Sequence, residues 1–257
     1  MMDAGLTEGV SLNVDDRGVA YVSFAHPRSN SLPGAVLAAL AETIRSLGDR
    51  DDVKVVVLGS AGDRAFCAGA SFDELVAISD EAEGLAFFSG FANVINALRT
   101  IPQLVIGRVQ GKAVGGGVGV AAATDYCLAT KHAAVKLSEL AVGIGPLVVG
   151  PAVERKLGVS AMSQLAIDAT EWRSAEWAAE RGLYAEVHDD AVSLDAAVEA
   201  LAARLSASNP EAMAALKKVF WAGTEHWDAL LTERAAVSGR LVLSDFTREA
   251  IARFKAG

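Results

Sequence analysis

Apolar and polar positions alternate in "VSLNV" (residues 10–14) and "VAYVSF" (19–24), and "DDRG" between them supplies turn chemistry. This pattern predicts an antiparallel hairpin with one face on a core. A helix follows from Pro33 to Leu47, with Pro at its start and Gly48 as the stop. "VKVVVLGS" (53–60) and "PQLVIGRV" (102–109) lack alternation, as expected of strands covered on both faces. Between them lie the loop "AGDRAFCAGAS" and a helical stretch over about 81–98. A glycine cluster opens a helix over 115–123, and "DYCLAT" (125–130) and "AAVKLSE" (133–139) read as two further strands. Beyond Gly150 the pattern is helical apart from "LYAEVHD" (183–189), and Asn209 with Pro210 caps a late helix. Strands and helices alternating to about residue 140, then mostly helices, predict an α/β core with a helical C-terminal part.

Composition narrows the function more than the fold. With 52% hydrophobic residues, 257 residues are ample for a large core. Twenty-three Lys and Arg against 32 Asp and Glu give a net charge of −9, which argues against nucleic acid as a partner. Cys67 and Cys127 match no metal spacing and point to free thiols in a reducing compartment. The N-terminal residues carry no targeting pattern, and the apolar runs are too short to cross a bilayer. The expectation is a soluble cytoplasmic protein with no membrane partner and no metal.

Two segments carry candidate chemistry. "GKAVGGGVG" (111–119) places three consecutive glycines at a helix entrance, where backbone N–H groups lack intrahelical acceptors. Glycine lets another molecule approach that backbone, and the helix dipole adds positive character, which suits a phosphate, a carboxylate or an enolate oxygen. The segment has neither the Lys-Ser/Thr of a phosphate loop nor dinucleotide spacing, so close packing of helix on strand explains it equally well. "RAFCAGASFDEL" (64–75) repeats the arrangement, a small-residue turn between a buried strand and a helix. Two such turns are suited to aiming two amides at one oxygen.

"AFCAGAS", then "GKAVGGGVG" some forty residues on, then "KLSELAVGIGP", in that order, resemble the crotonase family, also called the enoyl-CoA hydratase/isomerase family. The resemblance extends from the N-terminal hairpin through "HPRSNSL" to "EWRSAEWAAERGLYAEV" and the terminal helices. It implies an α/β fold, a spiral of β-β-α units (1–195) with a C-terminal helical trimerisation region (196–257). It also implies a homotrimer or dimer of trimers acting on an acyl-CoA thioester, coenzyme A being part of the substrate and no other cofactor being needed. The oxyanion-hole donors fall on the amides of Ala70 and Gly116, and the acid/base on Glu139. Coenzyme A and substrate contacts fall on Arg28, Ser29, Leu32, Ala68, Ser71, Phe72 and Gly119.

The departures from that family matter as much. Hydratases of the family use two glutamates, and the first of these falls on Gly119, which has no side chain. Ser71 replaces an acidic residue, and Val149 stands where glycine is common, implying a bulkier acyl pocket. One glutamate suffices to move a proton from C2 to C4 of a 3-enoyl thioester, so double-bond isomerisation is expected. The alternatives are a hydratase with a substitute for the missing acid, a decarboxylase or thioester hydrolase, or a non-catalytic acyl-CoA-binding protein. Glu154, Arg155, His226 and Trp227 are candidate substitutes, and Gly119→Glu is expected to raise hydration.

Overall fold

The computed structural model describes residues 5–256. The predicted hairpin is present, with β1 (Gly9–Val14) antiparallel to β2 (Val19–Ala25). Its turn is tied by Asp15, whose carboxylate accepts from the Arg17 and Val19 amides at 2.9 and 3.0 Å. Next come β3 (Val55–Ser60), β4 (Leu104–Val109), β6 (Tyr126–Thr130) and β8 (Glu186–His188), all parallel, completing a sheet of order β1-β2-β3-β4-β6-β8.

Both runs without alternation are strands buried along their whole length. So is β2, although its alternating sequence predicts a half-exposed strand. The reason is α7 (Ala191–Ser206), whose Leu194, Val198 and Ala202 cover Val19, Tyr21, Val55, Val57, Ile106 and Leu128. Tyr21 meets this cover by donating its hydroxyl to Glu199 at 2.7 Å. The opposite sheet face packs on α1 (Gly34–Leu47) and α3 (Glu81–Thr100), where Leu37, Leu40, Ile44, Val94, Ile95 and Leu98 build the main core. Pro33 is the cap before α1 rather than its first residue, because its extended ψ of 157° lies outside the helix.

A second, smaller layer positions the site. It is a ladder of short parallel contacts: Leu32 bridges Ala70, Cys67 bridges Ala113, and β5 (Ala113–Val114) pairs with β7 (Val135–Lys136). Arg173 closes the ladder antiparallel to Val135. The Leu32, 67–70, β5 and β7 segments each follow a strand of the large sheet and precede a helix, which is the β-β-α repeat. The strand expected over 133–139 shrinks to β7, because Ser138 turns the chain into a 3-10 helix (Glu139–Val142) that Gly143 ends at φ 81°.

The small-residue turn at 67–70 leads, as predicted, into a helix, α2 (Phe72–Ala77), and the glycine cluster into α4 (Gly116–Ala122). Beyond β7 lie α5 (Gly150–Ile167), α6 (Ala175–Glu180), then α7, α8 (Pro210–Phe220), α9 (Trp227–Val242) and α10 (Asp245–Ala256). Position 195, the expected division of the chain, lies inside α7. A buried ion pair fastens α8: Lys217 Nζ donates to Asp125 at 2.7 Å and to the Leu98 and Gln103 carbonyls, while Trp221 Nε1 donates to the other Asp125 oxygen. No described helix is long and apolar enough to cross a membrane.

Candidate active site

A cavity of about 730 Å³ opens over the short-strand ladder. Two turns form part of its lining. In the first, Gly69 takes φ 91° and its carbonyl accepts from the Leu32 amide at 2.8 Å, while the Ser71 amide donates to the Leu32 carbonyl. The second is held beside it: the Val114 amide donates to the Cys67 carbonyl and the Gly115 amide to that of Lys136, both at 2.9 Å. These bonds engage the neighbours of Ala70 and Gly116 and leave those two amides without an acceptor among the described residues. Ala70 and Gly116 both line the cavity.

Each glycine of the cluster has a different reason to lack a side chain. Gly115 caps α4 at φ 53°, and a Cβ there would lie 2.9 Å from Glu139 Oε1. A Cβ on Gly116 would enter the Phe91 ring at 2.3 Å, and one on Gly117 would meet the Cys67 carbonyl at 2.6 Å. Real Cβ atoms do not approach this closely, so the turn, the aromatic wall and the carboxyl group are fitted to bare backbone.

Glu139 starts the 3-10 helix and lines the cavity. The residue is half-buried, but its Oε2 is shielded from solvent and has no hydrogen-bond partner. Burial pushes its carboxyl up to about 7, opposed only weakly by its own backbone amide. The group is thus poised to exchange a proton near neutrality.

Of the other residues predicted from sequence, Ala68 and Phe72 line the cavity. Arg28, Ser29, Leu32, Ser71 and Gly119 do not. Arg28 is exposed and paired with Asp73. Ser29, at φ 54°, uses its carbonyl to receive the Ala68 amide. Leu32 is a fully buried rung of the ladder, and Ser71 caps α2 by accepting from the Glu74 amide. Asn30 is a buried clip, donating to the Ala61 and Ala65 carbonyls and accepting from the His26 amide. Burial holds the Cys67 thiol protonated, with its pKa raised to about 12.

The outcome at Gly119 corrects two expectations. Gly119 is buried, and a Cβ there would lie 2.6 Å from Val149 Cγ1. Val149 therefore occupies the room that a side chain at 119 needs, and Gly119→Glu cannot simply add an acid. Nor do the proposed substitutes reach the site. Glu154, Arg155 and Trp227 border a separate cavity of about 270 Å³, and His226 is exposed.

Sequence reasoning passed over Ser31, Phe87, Phe88, Phe91 and Lys136, which all line the cavity, and it places Trp172 in the core or at a subunit contact, whereas Trp172 is 39% exposed and lines the cavity as well. The cluster "LAFFSGF" in α3 is the signal for the aromatic wall. Ser31 has a weaker signal beside Leu32, and its hydroxyl donates to the Ala70 carbonyl at 2.8 Å.

A ladder of β-β-α units with a single carboxyl group beside two unpaired amides defines a crotonase-type fold and pocket. The sequence profile of the enoyl-CoA hydratase/isomerase family matches residues 15–254, and the chain belongs to that family. It is 29% identical to a carnitinyl-CoA dehydratase of Salmonella enteritidis, over 84% of this chain and 82% of that one. It is also 29% identical to an ethylmalonyl-CoA decarboxylase of Xenopus laevis, over 53% of this chain. The chain spans about half the length of that relative, 46%. Among solved structures, an enoyl-CoA hydratase from Mycobacterium avium subsp. paratuberculosis superposes with a TM-score of 0.84 at 27% identity, covering 98% of this chain and 97% of that one. One from Bacillus halodurans, at 19% identity, shares the fold with a TM-score of 0.87 over 95% of this chain and 99% of that one.

Proposed function

We propose that the protein is an acyl-CoA enzyme that shifts the double bond of a 3-enoyl thioester through an enolate. The observation that carries this reading is the lone, half-buried carboxyl of Glu139, its Oε2 shielded and unpartnered, beside the glycine turn, with hydrocarbon from Val149 against Gly119. Glu139 takes a proton from C2 and the thioester oxygen gathers negative charge. The Ala70 and Gly116 amides donate to that oxygen, a type of contact worth about 10²–10³ in rate per donor. The same carboxylic acid then returns the proton at C4, giving the 2-enoyl thioester. Arg28, Ser29, Leu32, Ala68, Ser71 and Phe72 mark the nucleotide and pantetheine side, as the family resemblance implies. The protein acts in the cytoplasm as a homotrimer or dimer of trimers on this reading.

A mass-resolved assay with 3-enoyl-CoA and 2-enoyl-CoA tests the reaction. Isomerisation without gain of water is expected, and rapid water addition to the 2-enoyl ester overturns the reading. Glu139→Gln is expected to lower turnover by about 10²–10⁴ while acyl-CoA affinity stays near the wild-type value. Unchanged turnover in that variant removes Glu139 from the mechanism.

A second reading, decarboxylation of a thioester bearing a carboxylate on C2, is supported by the likeness to an ethylmalonyl-CoA decarboxylase and is compatible with the raised pKa of Glu139. Loss of carbon dioxide leaves the enolate, and protonated Glu139 delivers its proton to C2. The two readings predict opposite pH limbs.

A further inference from the structure

The short-strand ladder has a direction. Its rungs run from Leu32 through Ala70 and Cys67 to Ala113, Val135 and finally Arg173. Ala70 pairs with Leu32 in the first rung and Gly116 follows β5, while the segments read as the nucleotide side stand at the Leu32 end. At the opposite end, Val114 pairs in register with Lys136, and both line the cavity. Lys112 lies just before β5 and outside the cavity lining, and its side chain reaches the Trp172 ring at the cavity edge. Trp172, next to the last rung, also lines the cavity and is 39% exposed.

The Lys112 and Lys136 ammonium groups each lie 4.6 Å from the centre of the Trp172 ring. Among the described residues the lysines in ion pairs are Lys131 and Lys217, so neither Lys112 nor Lys136 has a carboxylate within ion-pair distance. Two cations gathered on one indole, unneutralised in a chain of net charge −9, form a local positive site at the edge of a largely apolar cavity. Contact with the ring fixes the ends of two otherwise mobile side chains, so less freedom is lost when an anion arrives.

We propose that Lys112, Lys136 and Trp172 bind a carboxylate at the far end of the acyl group, and that the substrates are thioesters of dicarboxylic acids. This rests on the acyl-CoA reading above and on its placement of the nucleotide at the Leu32 end. With the thioester oxygen held between the Ala70 and Gly116 amides, the acyl chain runs along the rest of the ladder towards Trp172. Its terminal carboxylate meets two ammonium groups there, where a methyl terminus meets none. A charge-assisted contact of this kind favours the anionic ester by about 10- to 100-fold.

The test is calorimetric binding of free coenzyme A and of saturated esters matched in chain length, from succinyl- to suberyl-CoA against butanoyl- to octanoyl-CoA. Saturated esters cannot isomerise, so the result does not depend on the reaction. The wild type is expected to bind the best dicarboxylic ester about 10- to 100-fold more tightly than its neutral counterpart. Lys112→Met and Lys136→Met should each reduce that ratio towards one, and Lys136→Arg should keep it. Equal affinity for both series overturns the proposal. So does an equal loss of free coenzyme A and of both series in the lysine variants, which would assign the cations to the nucleotide phosphates. Failure of every ester and of coenzyme A to bind overturns this inference together with the acyl-CoA reading. Binding with the expected ratio but no isomerisation of enoyl esters leaves this site standing and removes only the reaction.

Discussion

Glu139 is placed where its charge is costly and its proton is useful. The pKa of about 7 against the ordinary 4.5 means that the folded protein holds a proton the unfolded chain releases between those values. The contribution to stability is therefore fully present below about pH 4.5 and is lost as pH rises through about 7. Glu139→Gln should remove that dependence. Thermal melts of both proteins should diverge above pH 4.5, with the variant gaining relative to wild type until about pH 7 and holding a constant lead beyond it. The rate carries the same pKa with a sign set by the chemistry. For isomerisation the carboxylate is the active form, so kcat/KM should rise tenfold per pH unit and level off above about 7. Decarboxylation assisted by the protonated acid falls over the same range.

At the scale of elements, α4 and the start of α5 act as one fitted pair. Gly119 is bare because Val149 leans against it, and Val149 has room because Gly119 is bare. Gly119→Glu alone should force the two helices apart and destabilise the fold by about 1–3 kcal/mol, read as a lower urea midpoint. Adding Val149→Gly should restore most of the midpoint and introduce a second carboxyl group near Glu139. The double variant should then add labelled water to 2-enoyl-CoA, and its failure to do so while folded means that more than an acid is missing. This pair also shows what the sequence conceals. Glycine at 119 and valine at 149 are each visible, but their contact joins residues thirty apart and has no local pattern. The same holds for the ladder, whose rungs of one or two residues are too short for any periodicity. By contrast, β3 and β4 are legible as apolar runs because burial on both faces is written into every residue of a strand. The 67–70 and 115–117 turns are legible because close backbone contact requires small residues.

For the whole molecule, the C-terminal helices complete the cavity as well as the core. Ser238 of α9 and Ala250 and Arg253 of α10 line the cavity. Phe246 and Thr247 press on Gly143 at the end of the Glu139 segment, where a Cβ would meet them at 2.6 and 2.8 Å. An equally tight approach lies between two backbones. Gly84 of α3 faces Gly239 of α9, and a Cβ on Gly84 would lie 2.6 Å from the Gly239 Cα. Neither backbone has a flexible tip to move aside, so Gly84→Ala must shift one helix bodily. One turn further along α3, Phe87, Phe88 and Phe91 form the aromatic wall, with Phe91 against Gly116. The added methyl group should therefore act in two places. It should cost about 1–3 kcal/mol of stability, as overpacking does, and it should disturb the wall enough to raise KM several-fold. Because Glu139 is carried by the 3-10 helix and not by α3, kcat should fall much less than in Glu139→Gln. Denaturant titration and steady-state kinetics on the same preparation check both effects. A lower midpoint with unchanged KM would mean that α3 bends between Gly84 and Phe87, and that the C-terminal helices support the fold without setting the shape of the site.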